Sequence, residues 1–272
     1  MHGLSSGASL AGLLMALSAT VAVAQPPSTG TGGIETDRDS FTPATTTVGR
    51  GRLIFESAYS FIDNPVGFET HSLPEVVTRY GVTDRVELHL GWNYEVGGAS
   101  TSFSGGVPDL DEPAVAKLER GSQFFYGLKA AVTDQDGWRP ESAFIVEAGT
   151  PTSGKETATQ VITSYVFGWK LPNDWKWDAA LRYGNDSAEG DHFNIWAPST
   201  VLKVPVLERW TAHVEYFGIF SEGRADDSAQ HDFSPGIHYL MTPDLEIGLR
   251  LGWGLNDRSA DFFNNVGFGW RF

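Results

Sequence analysis

The 272-residue chain carries 34 acidic against 19 basic residues, a formal net charge of −15, and its pI near 4.8 argues against a nucleic-acid partner, whose phosphates it would repel. It contains no cysteine, which excludes a disulfide framework, thiolate metal sites and a cysteine nucleophile. Beyond the N-terminal region no apolar run reaches the length of a transmembrane helix, so any membrane insertion has to be made by strands closed into a barrel.

In chain order, Ala8 to Ala24 is an apolar, small-residue run ending Ala22-Val23-Ala24. It fits the apolar region and cleavage site of an export signal, so residues 1–24 are read as a signal peptide, although only His2 stands where a basic flank is usual. Residues 25–50 form a polar N-terminal segment on the periplasmic side. Within it Glu35, Asp37, Arg38 and Asp39 allow two readings: a periplasmic tail, or a plug that enters the lower lumen and pairs with inward charges. Residues 51–272 are assigned to the barrel.

From about Arg52 onward the chain runs in short stretches of period two separated by turn residues, the pattern of half-exposed strands. In the clearest of them Val86, Leu88, Leu90, Trp92 and Tyr94 share one face, with Glu87, His89, Asn93 and Glu95 on the other. Twelve strands are expected, near 51–61, 72–81, 85–95, 122–133, 141–150, 159–170, 175–184, 192–203, 209–220, 232–241, 245–254 and 262–272. An even number suits a bacterial single-chain barrel. Eleven residues at about 3.3 Å each, tilted by about 45°, cover the roughly 25 Å apolar band of such a protein. The links GVTDR, TDQDGWRP, LPNDW, VPVLER and TPDLE read as short periplasmic turns, and the intervening ones as longer outer loops. The fold class is therefore all-β, a single antiparallel transmembrane barrel of twelve strands. A soluble sandwich is the rival; it gives no reason for aromatic belts, and a barrel this wide is not expected to be filled by its own side chains.

Aromatic residues fall into two belts, Tyr80, Trp169, Trp175, Trp210, Trp270 and Phe272 toward the periplasmic ends and Phe61, Trp92, Tyr94, Tyr183, Phe220 and Trp253 toward the outer ends, where amphipathic rings settle at a membrane surface. With the apolar face toward lipid, the charged face lines the lumen. The candidates there are Arg52, Glu56, Arg79, Arg85, Glu87, His89, Lys129, Arg182, His213, Glu215, Arg250 and Arg271. With Lys170 and Lys176 on the basic side and Glu75, Glu95, Glu141, Glu147, Asp178 and Glu246 on the acidic side, the inward charges balance at nine against nine, which suits either cross-strand ion pairs that hold a closed lumen together or the lining of a polar pathway. Most of the net negative charge is assigned to the outer loops, including Asp186, Glu189 and Asp191, and Glu222, Asp226 and Asp227; such a mouth disfavours anions, or binds divalent ions beside lipopolysaccharide. Asp111, Pro113 and Gly121 are spaced to start and stop a two-turn helix in the longest loop.

Chemistry is sparse. Glu87-x-His89 and His213-x-Glu215 each place a histidine and a carboxylate on one inward face, a pairing more often used for hydrogen bonds than for metal or proton transfer. His71 and Ser72 are adjacent and point to opposite faces, and no serine follows His192 and Asn194 at a useful step. No catalytic residue, metal site or cofactor is expected, and the chain is not expected to be an enzyme.

ETDRDSFT from Glu35 to Thr42, LPEVVTRYGVTDRVELHLGW from Leu73 to Trp92, DGWRP from Asp136 to Pro140 and LMTPDLEIGLRLGWGLNDRSADFF from Leu240 to Phe263 together resemble the bacterial outer-membrane transporter family named for the meta pathway of phenol degradation. The resemblance runs over most of the chain after the export signal. It implies a Gram-negative outer-membrane barrel associated with the passage of small molecules, aromatic or hydrophobic ones among them, and supplies no ligand residues. The partners expected are such solutes, outer-membrane lipid and lipopolysaccharide, and the barrel-assembly machinery, which would recognise the last strand ending at Phe272. The rival is a closed structural or surface-interaction barrel without transport.

Overall fold

The computed structural model describes residues 33–65, 67–98, 118–154, 158–188, 191–223 and 227–272. Twelve antiparallel strands run β1 Leu53–Asp63, β2 Thr70–Gly81, β3 Val86–Gly97, β4 Glu119–Thr133, β5 Glu141–Ser153, β6 Gln160–Lys170, β7 Lys176–Ala188, β8 Asp191–Leu207, β9 Trp210–Glu222, β10 Ala229–Thr242, β11 Leu245–Gly254 and β12 Phe262–Arg271. Each pairs with its sequence neighbours, and β1 pairs with β12 from Ile54↔Arg271 to Asp63↔Phe262, closing the barrel. Closure leaves no strand edge, the condition for a sheet to cross lipid.

Alternation puts the apolar faces outward. Leu88, Leu90 and Trp92 on β3, Ile247, Leu249 and Trp253 on β11 and Val266 and Trp270 on β12 are all exposed on the outer wall. Aromatic rings meet in pairs at both ends of the barrel: Trp169 stacks on Trp177 at 5.2 Å and Trp210 meets Tyr239 at 4.6 Å at the periplasmic end, while Tyr183 meets Trp196 at 4.4 Å and Trp253 meets Phe262 at 5.8 Å at the other. In β2 the register shifts between Ser72 and Glu75, so that both of these side chains are buried; a bulge with its extra residue is what lets an odd spacing keep one face.

Several boundaries differ from the sequence expectation. β7 and β8 stay paired out to Ala188 and Asp191, four residues past the expected end of β7. β8 also runs to Leu207, with an irregularity between Pro205 and Leu207, so most of VPVLER is strand rather than turn. The helix expected in the longest loop lies mainly outside the described residues, but its proposed stop, Gly121, pairs with Glu95 within the β3–β4 ladder. Among the described residues the one helical turn is the 3-10 turn Pro172–Asp174.

Candidate pore lumen and its N-terminal segment

The inward face is polar along much of the wall and buried throughout. Glu56, Arg79, Glu87, His89, Lys129, Arg182, His213, Glu215 and Arg250 are all nearly inaccessible, and Arg79, Lys129 and Arg250 are among the largest fully buried side chains. Charges cannot be held so deep without partners. The wall supplies some of these partners and a segment that is not part of the wall supplies the rest.

That segment is residues 33–50. Ile34 N–H donates to the Pro243 carbonyl at the β10–β11 turn (2.9 Å), and the chain from Thr36 to Thr45 is buried. It then returns, with Val48 N–H on Glu87 at 2.6 Å and Arg50 N–H on Asp84 at 3.2 Å, to enter β1. The segment is thus a loop that rises into the lumen and comes back down to the same rim. Its polar contacts are spread around the wall. Asp37 accepts from Arg79 Nη1 (2.7 Å) and Lys129 Nζ (2.8 Å), and Asp39 from Lys203 Nζ (2.8 Å). Glu35 is paired with Lys176. Arg38 donates to Asn265 at 2.8 Å, while the backbone N–H groups of Asp37 and Arg38 donate to Glu56 at 3.1 and 3.0 Å. Burial by itself would push these carboxyls up, but the surrounding cations outweigh it. Lys176 and Lys203 hold Glu35 at about 2; Arg79 and Lys129 hold Asp37, and Lys203 holds Asp39, well below the usual carboxylate range.

The wall is shaped to admit the segment. A Cβ added at Gly269 would stand 2.3 Å from Thr36 Cγ2, so bare backbone at this β12 position makes the room; one at Gly267 would meet both the Ser57 carbonyl of β1 at 2.2 Å and Arg38 Nη1 at 2.6 Å. Elsewhere inward glycines receive rings from the next strand, as Gly236 does His213 and Gly252 does Phe263.

Part of the lining is apolar. Phe41, at the top of the loop, lies in one cluster with Ile62, Phe193, Ile195, Ala197, Phe217, Ile219, Ala260 and Phe263. Ala260 comes from the β11–β12 loop, where Ser259 bonds the backbone N–H of His231 at 2.8 Å. A second apolar patch, Ala143, Ile145, Val166 and Ala180, lies on β5–β7. The wall's own side chains therefore share the interior with a segment from outside the wall: the N-terminal loop and the inward rings occupy the space together.

Three of the lumen candidates sit at the periplasmic rim. Arg85 precedes β3, is half-exposed and reaches sideways to Asp134 at 2.9 Å. Arg271 ends β12 and pairs with Asp244 at 2.7 Å. Arg52 precedes β1 and is partly exposed. Each has inward parity but stands at or beyond the last rungs of the ladder, where its side chain turns to the rim. His213 shares a face with Glu215 yet bonds His238 instead (Nδ1 to Nε2, 2.6 Å), while Glu215 accepts from the segment. His89 lies between Glu87 (2.8 Å) and Glu147 (2.9 Å). Ligand atoms of Asp37, Glu87 and His89 come within 4.8 Å of one another, as do those of Asp39, His238 and Glu246. In both groups cations already hold a carboxylate: Lys129 lies 2.8 Å from Asp37 and 3.5 Å from Glu87, and Lys203 2.8 Å from Asp39, so a metal ion would have to displace an ammonium group.

Glu189, Asp226 and residues 1–32 lie outside the described residues, and of Asp186, Asp191 and His192 only the backbone is described. Sequence reasoning missed Lys203, His238, Phe41 and the inward rings. For His238 a signal existed, since Asp232, Ser234, Gly236 and His238 alternate with Phe233, Pro235, Ile237 and Tyr239.

The sequence model of the family described as "Putative MetA-pathway of phenol degradation" matches residues 36–272. No curated protein sequence matches the chain. Among solved structures, it is similar to an outer-membrane channel from Pseudomonas putida F1, with 12% identity, a TM-score of 0.58 and coverage of 88% of this chain and 100% of that one. It is also similar to the NanC porin, with 10% identity, a TM-score of 0.53 and coverage of 80% and 98% respectively. At such identities the likeness is one of fold, that of an outer-membrane barrel.

Proposed function

We propose that this chain, which belongs to that phenol-degradation MetA-pathway family, is a non-catalytic outer-membrane conduit that lets small solutes pass passively, aromatic and hydrophobic compounds among them, with residues 33–50 acting as its plug. The observation that carries the reading is how the lumen is filled. The wall presents both charged groups and an apolar cluster, and both are met by a loop that is not part of the wall and is attached to it by ion pairs, hydrogen bonds and the packing of Ile34, Phe41 and Val48. A barrel meant only as a scaffold needs no separate filling. One held shut by a detachable loop has a route to opening: the charged groups at Arg79, Lys129 and Lys203 change partners from the loop to water and solute. The amphipathic interior suits solutes with a ring and a polar group. The similarity to a barrel named an outer-membrane channel supports the same reading, as does the family description.

Residues 1–24 serve as the export signal in this reading, the outer girdle contacts lipid and lipopolysaccharide, and the strand ending at Phe272 addresses the assembly machinery. The alternative, a closed structural barrel, is favoured by the burial of every wall charge in the middle of the lumen. Planar-bilayer recording of the purified protein, with liposome swelling in phenol and benzoate, separates the two. Stepwise conductance that increases when residues 33–50 are removed supports the conduit; absence of both conductance and swelling in either form rules it out.

A further inference from the structure

We infer that the place occupied by Phe41 is a binding site for a hydroxylated aromatic carboxylate, and that Phe41 is its built-in occupant, which the solute displaces. The inference rests on the reading of the barrel as a conduit with a detachable loop.

The wall around Phe41 meets three features of the loop tip, its ring, its carbonyl and its N–H groups, through Phe217, Arg182 and Glu215. The ring stacks on Phe217, with centroids 4.3 Å apart and planes 15° from parallel, and the Arg182 guanidinium carbon lies 4.2 Å from the same ring centroid. Stacked rings and a cation over a ring face are attractions that depend on aromaticity rather than on bulk. The Phe41 carbonyl accepts from Arg182 Nη2 at 2.5 Å. On the other side Glu215 accepts from Phe41 N–H (2.9 Å), Thr42 N–H and Thr42 Oγ1 (both 2.7 Å). The site thus offers a ring slot, a cation for an acceptor and a carboxylate for donors.

The loop does not use all of this. Arg182 Nη1 is buried and has no hydrogen-bond partner among the described residues, and a buried donor left unmade is costly. A carboxylate has two oxygens to the carbonyl's one, and a guanidinium fork receives both side by side. A phenolic hydroxyl would replace the donors that Glu215 loses when the loop leaves. The Phe41 carbonyl and the N–H groups lie at the same end of the ring, so a ring bearing a carboxylate and a hydroxyl on adjacent carbons offers an acceptor to Arg182 and a donor to Glu215 from that end, with a second oxygen for the donor the loop omits. The site is made by β7, β9 and β12, through Arg182, Glu215, Phe217 and Phe263, so it persists when the loop moves.

The test measures binding directly, apart from any conductance. Equilibrium dialysis of salicylate against the full chain folded in detergent is compared for wild type, Phe41→Ala, Phe41→Leu and the double variant Phe41→Ala with Arg182→Gln. A solute that competes with an internal occupant binds more weakly by the fraction of time the site is free, so Phe41→Ala is expected to bind at least about tenfold tighter than wild type. Phe41→Leu, which keeps apolar bulk and loses the stacking, should fall between them. The Arg182→Gln addition should abolish the gain, and cyclohexanecarboxylate should show little of it. Equal affinity in wild type and Phe41→Ala, a gain that survives Arg182→Gln, or no binding in any variant would overturn the site. Should Phe41→Ala fail to give a heat-modifiable folded barrel, absence of any gain in Phe41→Leu overturns it alone. Binding with neither conductance nor liposome swelling would sink the conduit reading and leave the site standing; conductance or swelling without binding would do the reverse.

Discussion

Replacing Asp37 with asparagine tests whether the loop is held by charge. Asp37 Oδ2 receives Arg79 at 2.7 Å and Lys129 at 2.8 Å, and Oδ1 receives Ala44 N–H at 2.9 Å. Asparagine keeps the shape and an acceptor for Ala44 but leaves Arg79 and Lys129 facing each other without their shared anion. Removing one partner of a buried pair costs about 3–5 kcal/mol. The lower end applies here, because Arg79 retains Glu56 at 3.2 Å and Lys129 retains Glu87 at 3.5 Å. A loss of about 3 kcal/mol lowers the ratio of docked to undocked loop about a hundredfold, at about 1.4 kcal/mol per factor of ten. The barrel ladders do not include Asp37, so the effect falls on the loop and not on the sheet. Two assays read it. The open fraction in planar bilayers should rise steeply in Asp37→Asn, and protease added on the periplasmic side should cut within residues 33–50 while residues 53–271 stay intact. An Asp37→Asn variant with wild-type open fraction and wild-type protection would refute the argument that ion pairing docks the loop.

Three other outcomes follow from the same geometry. Gly269→Val should undock the loop while sparing the barrel, since the nearest atoms to the added carbon are Thr36 Cγ2 at 2.3 Å and Ile34 Cδ1 at 3.5 Å, both from the loop; the check is greater protease sensitivity of residues 33–50 at unchanged heat modifiability. Acidification should also undock it. Glu35 is held at about 2 in the docked state against an ordinary value of 4.5, so its pairing stabilises docking fully above about 4.5 and is lost as pH falls through about 2. Open probability should therefore be flat from pH 7 to about 5 and climb below that, with Glu35→Gln removing this residue's share of the climb. Deleting Phe272 should lower the amount of protein assembled in the outer membrane, measured by fractionation, and leave the ion selectivity of inserted molecules unchanged; normal assembly would contradict a role for the terminal aromatic in insertion.

The strands were legible because lipid on one side and polar groups on the other impose a strict period of two, and β3, β11 and β12 keep it nearly without interruption. The inward set followed from parity alone, which is why Glu56, Arg79, Glu87, Lys129 and Arg250 could be placed without knowing any contact. Parity does not give height, however, so Arg52, Arg85 and Arg271 could not be told from residues one or two rungs further in. Nor does parity distinguish a side chain facing water from one facing another segment of protein. Glu56 and Glu215 have the same pattern in either case, yet here each receives backbone N–H groups of the loop. The apolar part of the lumen was hidden for a related reason. In β8, Phe193, Ile195 and Ala197 face inward while Trp196 and Pro198 face out, so both faces are apolar and the period disappears from the sequence. The tip of the loop was the least legible part. Phe41 is a single apolar residue in a polar stretch before the first strand, and its partners Arg182, Phe217 and Phe263 are far away in sequence on three different strands. Only closure of the barrel brings them together, and the same closure turns one unremarkable phenylalanine into the ring that fills the lumen's aromatic slot.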